Sequence, residues 1–224
     1  MSGFWAPVLA VLWKDILLEA RTKNFVVSVL VFALLVIVIF NFAIDPTPQI
    51  VALVAPGVLW ASIAFGGVLG FNRSFALEKD QGGLQGLLLA PVSRDTIFFG
   101  KMIANIVFML VVEAAVFPVF AVLFNLSMAQ PGLIPIAVLA TVGMAAVGTL
   151  FSAVAVNTRA REVMLPLLFF PVVIPVIVGA VEASGVVIRG EGWGEMARWL
   201  PFLAVFDAIF LVVCPVAFHF VVED

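Results

Sequence analysis

The chain has one cysteine and one histidine in 224 residues, and charged side chains make up only 11% of it. The single thiol, Cys214, excludes an intramolecular disulfide and lacks the spaced partners of a thiolate metal site. His219 alone provides neither a metal-ligand pair nor a base for a serine nucleophile. No phosphate-cradling G-x-x-x-x-G-K-[ST] loop occurs: Lys101 follows Gly100, but Met102 comes next, and Gly185, Gly190, Gly192 and Gly194 have no lysine with them. No catalytic residue, cofactor-binding residue or metal ligand is therefore expected, and the chain is not expected to act as an enzyme by itself. A net charge of −3 with 11 Lys and Arg leaves no cationic surplus for phosphate backbones, so no nucleic-acid partner is expected.

What fills the chain instead is apolar. Hydrophobic residues are 64% of it and the mean hydropathy is +1.26, whereas a soluble domain is about half apolar and about a quarter charged. So few charges cannot cover a water-facing surface, which excludes a soluble enzyme and a disordered regulator and makes the lipid bilayer the solvent. A spanning helix needs about 20 mostly apolar residues. The runs predict an all-α integral membrane protein forming one permease domain over 1–224, with six spans at about 24–44, 50–71, 97–124, 133–157, 163–181 and 200–222. Asp45, Pro46 and Pro48 separate the first two spans. Asn125, Ser127, Gln130, Pro131 and Gly132 divide the third from the fourth. The first span is too long, and starts too late, for a cleaved signal peptide.

Nine of the eleven cations fall before the first span, between the second and third, or between the fourth and fifth; only Arg189 and Arg198 fall on the other side. By the positive-inside bias, both termini and the second loop are expected in the cytoplasm. Ahead of the first span, Phe4, Trp5, Val8, Leu9, Leu12, Trp13, Ile16 and Leu17 recur at helical spacing. They predict an interfacial helix over about 4–22, anchored by Trp5 and Trp13.

Inside the spans, Gly66 and Gly70, and again Gly148 and Ser152, have the four-residue spacing of small residues that lets helix backbones approach closely. Pro171, Pro175 and Gly179 lie four apart on the fifth span and mark it for a kink or hinge. Glu113 and Asp207 are the carboxylates within spans; such groups are expensive in lipid and mark a pathway or a buried polar contact. Glu113 is expected to face the bundle, and Asp207 to be satisfied by water or Arg198. The segment from Glu182 to Trp199 is expected to form a long outer loop.

The second loop, about 73–94, reads Phe75-Ala76-Leu77-Glu78-Lys79-Asp80-Gln81-Gly82-Gly83-Leu84-Gln85-Gly86-Leu87-Leu88-Leu89-Ala90-Pro91-Val92-Ser93-Arg94 and closes on Gly100-Lys101. Leu84, Leu87 and Leu88 make an i, i+3, i+4 apolar face, and Ser93 with Asp95 suits the start of the next helix. This segment resembles the cytoplasmic loop of type-2 ABC exporter permeases. Ala55-Pro56-Gly57-Val58-Leu59-Trp60 in the second span, with Leu165-Pro166-Leu167, Phe170-Pro171 and Pro175-Val176-Ile177-Val178-Gly179 in the fifth, is similar to the CcmB family within that superfamily. Gly82-Gly83 departs from the commoner Asp-Gly or Gly-Thr.

The resemblance implies a coupling helix that seats in a separate ABC ATPase subunit, with Glu78, Lys79 and Asp80 at its rim, Leu84, Leu87 and Leu88 as the anchor, and Pro91 at its end. It further implies a homodimer within a hetero-oligomer, a haem-handling membrane partner, ATP held by the ATPase subunit, haem as cargo, and the bacterial inner membrane as location. Two alternatives share these residues: an exporter of a drug, lipid or glycan, and a scaffold that passes ATPase motion to a haem-handling neighbour without moving cargo.

Overall fold

The computed structural model describes residues 2–44, 47–80, 92–127, 130–156, 158 and 160–221. These form seven helices: α1 (Ser2–Thr22), α2 (Asn24–Ala43), α3 (Pro48–Asp80), α4 (Arg94–Leu123), α5 (Leu133–Val156), α6 (Arg161–Ile188) and α7 (Trp193–Val221). The helices α2 to α7 are each long and apolar enough to cross a bilayer. The face that carries α1, the end of α3, the start of α4 and the end of α7 is called basal below, and the opposite face distal.

The α1–α2 corner is made by Lys23, whose backbone is left-handed (φ 54°), so that α2 departs sharply from α1. Glu19 reaches over the corner and accepts the backbone N–H groups of Phe25 at 3.2 Å and Val26 at 2.8 Å. A carboxylate there satisfies donors that the first turn of a helix leaves open and complements its dipole. Pro48 begins α3, where its missing N–H costs nothing. On the distal face Asn41 Nδ2 donates to the Leu123 carbonyl at 2.7 Å and ties the ends of α2 and α4.

Helix α5 is the hub. Its run from Gly143 to Leu150 is buried throughout, among α3, α4, α6 and α7. The sequence explains this, because glycine, alanine, serine and threonine let four neighbours approach one axis. The Phe71 ring of α3 packs directly against Gly148, and Ser152 Oγ donates to the Phe71 carbonyl at 2.6 Å. Gly66 and Gly70 do the same between α3 and α2, accepting Val29 and Phe25. Both small-residue pairs found in the sequence are thus seams between helices. Outside the bundle, Leu35, Phe42, Leu53, Val122, Leu167 and Val212 are exposed. A surface as apolar as the interior is the mark of a lipid-facing protein.

Two expected boundaries change. Helix α3 runs nine residues past Phe71, so residues 73–80, read from the sequence as part of the loop, are helical. No glycine or proline interrupts this polar stretch before Gly82, and polar residues propagate a helix well once it has left the hydrocarbon. The fifth and sixth spans also extend toward each other, so the long outer loop 182–199 reduces to 189–192. Gly190 (φ 71°) stops α6: its N–H bonds the Val187 carbonyl at 3.1 Å, and the Glu191 N–H bonds that of Val186 at 3.0 Å. This is a Schellman ending, which requires the left-handed residue that glycine supplies. Helix α6 runs from Arg161 to Ile188 with Pro166, Pro171 and Pro175 inside it. Pro171 and Pro175 point outward, whereas Gly179 is buried against Phe202 and Leu203 of α7.

Candidate functional site

On the basal side, α1 packs by one face and leaves the other open. Val8 and Val11 lie on Gly100 of α4 so closely that a β-carbon there would be 2.7 Å from Val11 Cβ. Trp5, Leu9 and Trp13, four residues apart, are exposed. This is the amphipathic helix expected from the sequence, with an apolar outer stripe of the kind that suits a membrane interface.

Beneath it lies a ring of charge that the sequence reading did not find. Lys14 and Asp15 of α1, Glu78 of α3 and Lys101 of α4 alternate in sign, and each carboxylate meets both lysines. Lys14 Nζ is 3.0 Å from Asp15 Oδ1 and also donates to Glu78 Oε1; Lys101 Nζ is 3.1 Å from Asp15 Oδ2 and 3.0 Å from Glu78 Oε2. Lys101 is 2% exposed, donates to the Ser74 carbonyl at 2.9 Å and stands 4.9 Å from the centre of the Phe75 ring. Burial alone would depress the Lys14 ammonium, but Asp15 and Glu78 outweigh it and hold it above its ordinary value. Buried ions need such pairing. Glu78 is therefore not an exposed rim residue: its carboxylate is turned inward and used by the ring. The sequence signal was faint, consisting only of matched opposite charges near the ends of three apolar runs.

The residues flanking the 81–91 stretch are tied to other helices too. Lys79 is exposed and donates to the Val156 carbonyl at the end of α5 at 2.7 Å. Arg94 donates to the His219 carbonyl near the end of α7 at 3.1 Å. Ser93 sits at the expected N-cap position with extended backbone, but its hydroxyl bonds the Thr96 hydroxyl at 2.7 Å instead of a backbone N–H. Leu84, Leu87, Leu88 and Pro91 lie outside the described residues, as does the side chain of Asp80, which closes α3.

Within the bundle, Glu113 is 2% exposed, as its cost in lipid demands, and Thr141 Oγ1 of α5 donates to its Oε1 at 2.6 Å. Asp207 is buried against Gly143 of α5, and neither of its oxygens has a hydrogen-bond partner among the described residues. Arg198 does not serve it; that guanidinium lies 3.0 Å from Glu195. Asp207 is also deeper than expected, because α7 starts at Trp193. Trp60 Nε1 donates to Ser184 Oγ at 2.9 Å and joins α3 to α6. Distally, a cleft of about 520 Å³ opens beside Phe117, Phe120, Leu133, Ile134 and Ile188, with Gln130 at its edge.

Six apolar helices, α5 the small-residue hub among them, with the ends that flank the 81–91 stretch braced against other helices on the basal face, define a polytopic α-helical membrane protein. Residues 6–223 match the family described as CcmB protein, and the chain belongs to that family. It is similar to heme exporter protein B of Paracoccus denitrificans, 29% identical over 93% of this chain and 94% of the relative. It is also similar to the protein of that name from Pseudomonas aeruginosa, 26% identical over 97% of this chain and 95% of the relative. A third, from Rhodobacter capsulatus, is 28% identical over 77% of this chain and 80% of the relative. The chain is a multi-pass bacterial membrane protein.

Proposed function

We propose that this chain is the membrane permease subunit of an ATP-driven haem exporter serving cytochrome c maturation. A separate ABC ATPase subunit supplies the energy and a haem-handling membrane subunit receives its effect. Family membership over nearly the whole chain supports the cargo, since the relatives' names state heme export. The observation that carries the coupling is the bracing of the 81–91 stretch: Glu78 holds α1 and α4, Lys79 holds α5, and Arg94 holds α7. A force applied there reaches α1, α5 and α7, besides α3 and α4 themselves, through hydrogen bonds and ion pairs. Leu84, Leu87 and Leu88 would form the buried anchor in the ATPase, each contributing about 1.5–3 kcal/mol if fully buried. Lys79 and Asp80 would set orientation at the rim, where charge governs specificity more than affinity. ATP stays on the partner, haem is cargo, and the working unit is a homodimer of this chain within the larger complex. Pro171, Pro175 and Gly179 would let α6 flex against α7 as the unit cycles.

Leu87→Asp tests the coupling. The variant is expected to reach the membrane at normal levels while co-purification of the ATPase subunit and cytochrome c maturation are both lost. Co-purification at wild-type yield with unchanged maturation would remove the loop from the mechanism.

The basal face is assigned to the cytoplasm on the cation count, which includes Lys14, Lys79 and Lys101 around the braced stretch. Cysteines introduced at Ser127 and Gly192 should react with a membrane-impermeant maleimide added outside intact cells, and one at Ser2 should not. Outside labelling at Ser2 would invert the protein and put the loop on the wrong side for ATP.

A second reading, a scaffold that relays ATPase motion without passing cargo, draws on the way buried polar groups pair internally, such as Trp60 with Ser184 and Glu113 with Thr141. Haem flux into proteoliposomes holding the whole complex separates the two readings.

A further inference from the structure

Helices α4 and α5 run antiparallel along a buried seam. Asn105 Nδ2 donates to Thr149 Oγ1 at 2.9 Å, and two turns farther toward the distal face Thr141 Oγ1 donates to Glu113 Oε1 at 2.6 Å. Both pairs obey one register, which sets Met109 opposite Ala145 midway between them. Lys101, Asn105, Met109 and Glu113 follow at four-residue intervals on α4, and all four are buried. At the basal end, a cavity of about 40 Å³ is lined by Asp15, Ser74, Lys101 and Asn105. Leu18, Phe25 and Phe108 also line it, but a space of that size with several polar side chains at its wall has room for water. Polar groups thus lead inward from the charge ring to Asn105 and Thr149, stop for one layer, and resume at Glu113. The interrupting layer is slight. Ala145 is small, and the Met109 thioether lies against Gly67 of α3, where a β-carbon would be 3.2 Å from Met109 Cε. Methionine is the most readily repacked of large apolar side chains.

At the inner end, Glu113 Oε2 has no hydrogen-bond partner among the described residues. The helices packed against α4 bring no cation to it. Lys14, Asp15, Glu19 and Arg21 of α1, Arg73, Glu78, Lys79 and Asp80 of α3, and His219 of α7 are basal, as are Arg94, Asp95 and Lys101 of α4 itself. Glu195 and Arg198 of α7 are distal, and α2 and α5 have no charged residue; among the described residues of these helices, Asp207, a second acid, and the neutral Cys214 thiol, both on α7, share the interior and neither supplies a cation. A carboxylate without a counter-ion in this setting is stable only when neutral.

We propose that Glu113 is a proton-binding site: a neutral carboxylic acid that exchanges its proton with basal-side water along the α4–α5 seam, with Met109 as the movable barrier. The step needs no co-reactant. Hydronium gives its proton to the carboxylate oxygen, forming the O–H bond and leaving water, and the reverse step returns it. The site is independent of the transport reading above and stands whatever the cargo.

Infrared difference spectroscopy on proteoliposomes containing the full chain with its native partners tests it. At neutral pH the wild type should show the C=O stretch of a protonated carboxyl that disappears in Glu113→Gln and survives in Asp207→Asn. On transfer to heavy water this band should shift, several-fold faster in Met109→Ala and several-fold slower in Asn105→Leu. Thr149→Val reads the same path if Asn105→Leu does not assemble. Absence of the band in the wild type, a band that never shifts, or one that shifts at the same rate in the seam variants overturns the proposal.

Discussion

Lys101→Met is expected to free α1 from the bundle and to lower the thermal stability of the purified protein sharply. Lys101 is 2% exposed and is shared by Asp15 and Glu78, so its removal strands two buried carboxylates on Lys14 alone. Removing one partner from a buried ion pair costs about 3–5 kcal/mol, a large part of the roughly 5–15 kcal/mol that holds a typical domain folded. The ring is what joins the polar side of α1 to α3 and α4, so protease sites in α1 should open before the bundle melts. Adding Glu78→Met to Lys101→Met should restore part of the loss, because apolar replacement of both partners leaves less charge uncompensated. A Lys101→Met protein as stable as wild type would mean that the ring is incidental to assembly. The pH dependence has a definite sign. Because the folded protein holds the Lys14 ammonium above its ordinary 10.5, the stability that its pairing adds is complete below that pH and lost only as pH rises through the higher folded value. Neutral pH should leave it untouched.

Gly148→Ala should be nearly as damaging, although it adds a single methyl group. Its β-carbon would come within 2.5 Å of the Phe71 ring. Phe71 has no room to retreat: it is fully buried, with Phe25 at 6.2 Å and Phe169 at 5.6 Å between ring centres. Overpacking a filled core costs about 1–3 kcal/mol and occasionally more, and forcing α3 from α5 also breaks the bond from Ser152 to the Phe71 carbonyl. Gly57→Ala is the control, since nothing lies within 4 Å of a β-carbon there. Melting temperature and folded yield should fall for Gly148→Ala and hold for Gly57→Ala. Equal behaviour of the two would refute the close seam between α3 and α5.

The spans were legible because hydrocarbon imposes one rule on every residue that meets it, and the runs beginning at Asn24 and Leu133 start where α2 and α5 start. The glycine spacing on α3 and α5 was legible for a related reason, since close approach of backbones needs a four-residue repeat on one side. Helix ends were harder. The extension of α3 to Asp80 and the stop of α6 at Gly190 are decided by backbone hydrogen bonding in polar surroundings, where hydropathy has nothing to say. The charge ring was the least legible part. Its ties join residues 64 and 86 positions apart, and no local pattern distinguishes a buried lysine near a helix end from an ordinary positive-inside one. For Glu113, burial followed from cost, whereas Thr141 as its donor did not, because a threonine among alanines and glycines has no signature of its own.

The tight Gly190 turn has a consequence for company. With α6 and α7 joined by only 189–192, the two helices end in a stiff hairpin whose tip carries Arg189 against Glu191 and Arg198 against Glu195. A protein arriving from that compartment would meet a small fixed knob of matched charge, not a loop long enough to wrap around it, so a partner there must be shaped to the knob in advance.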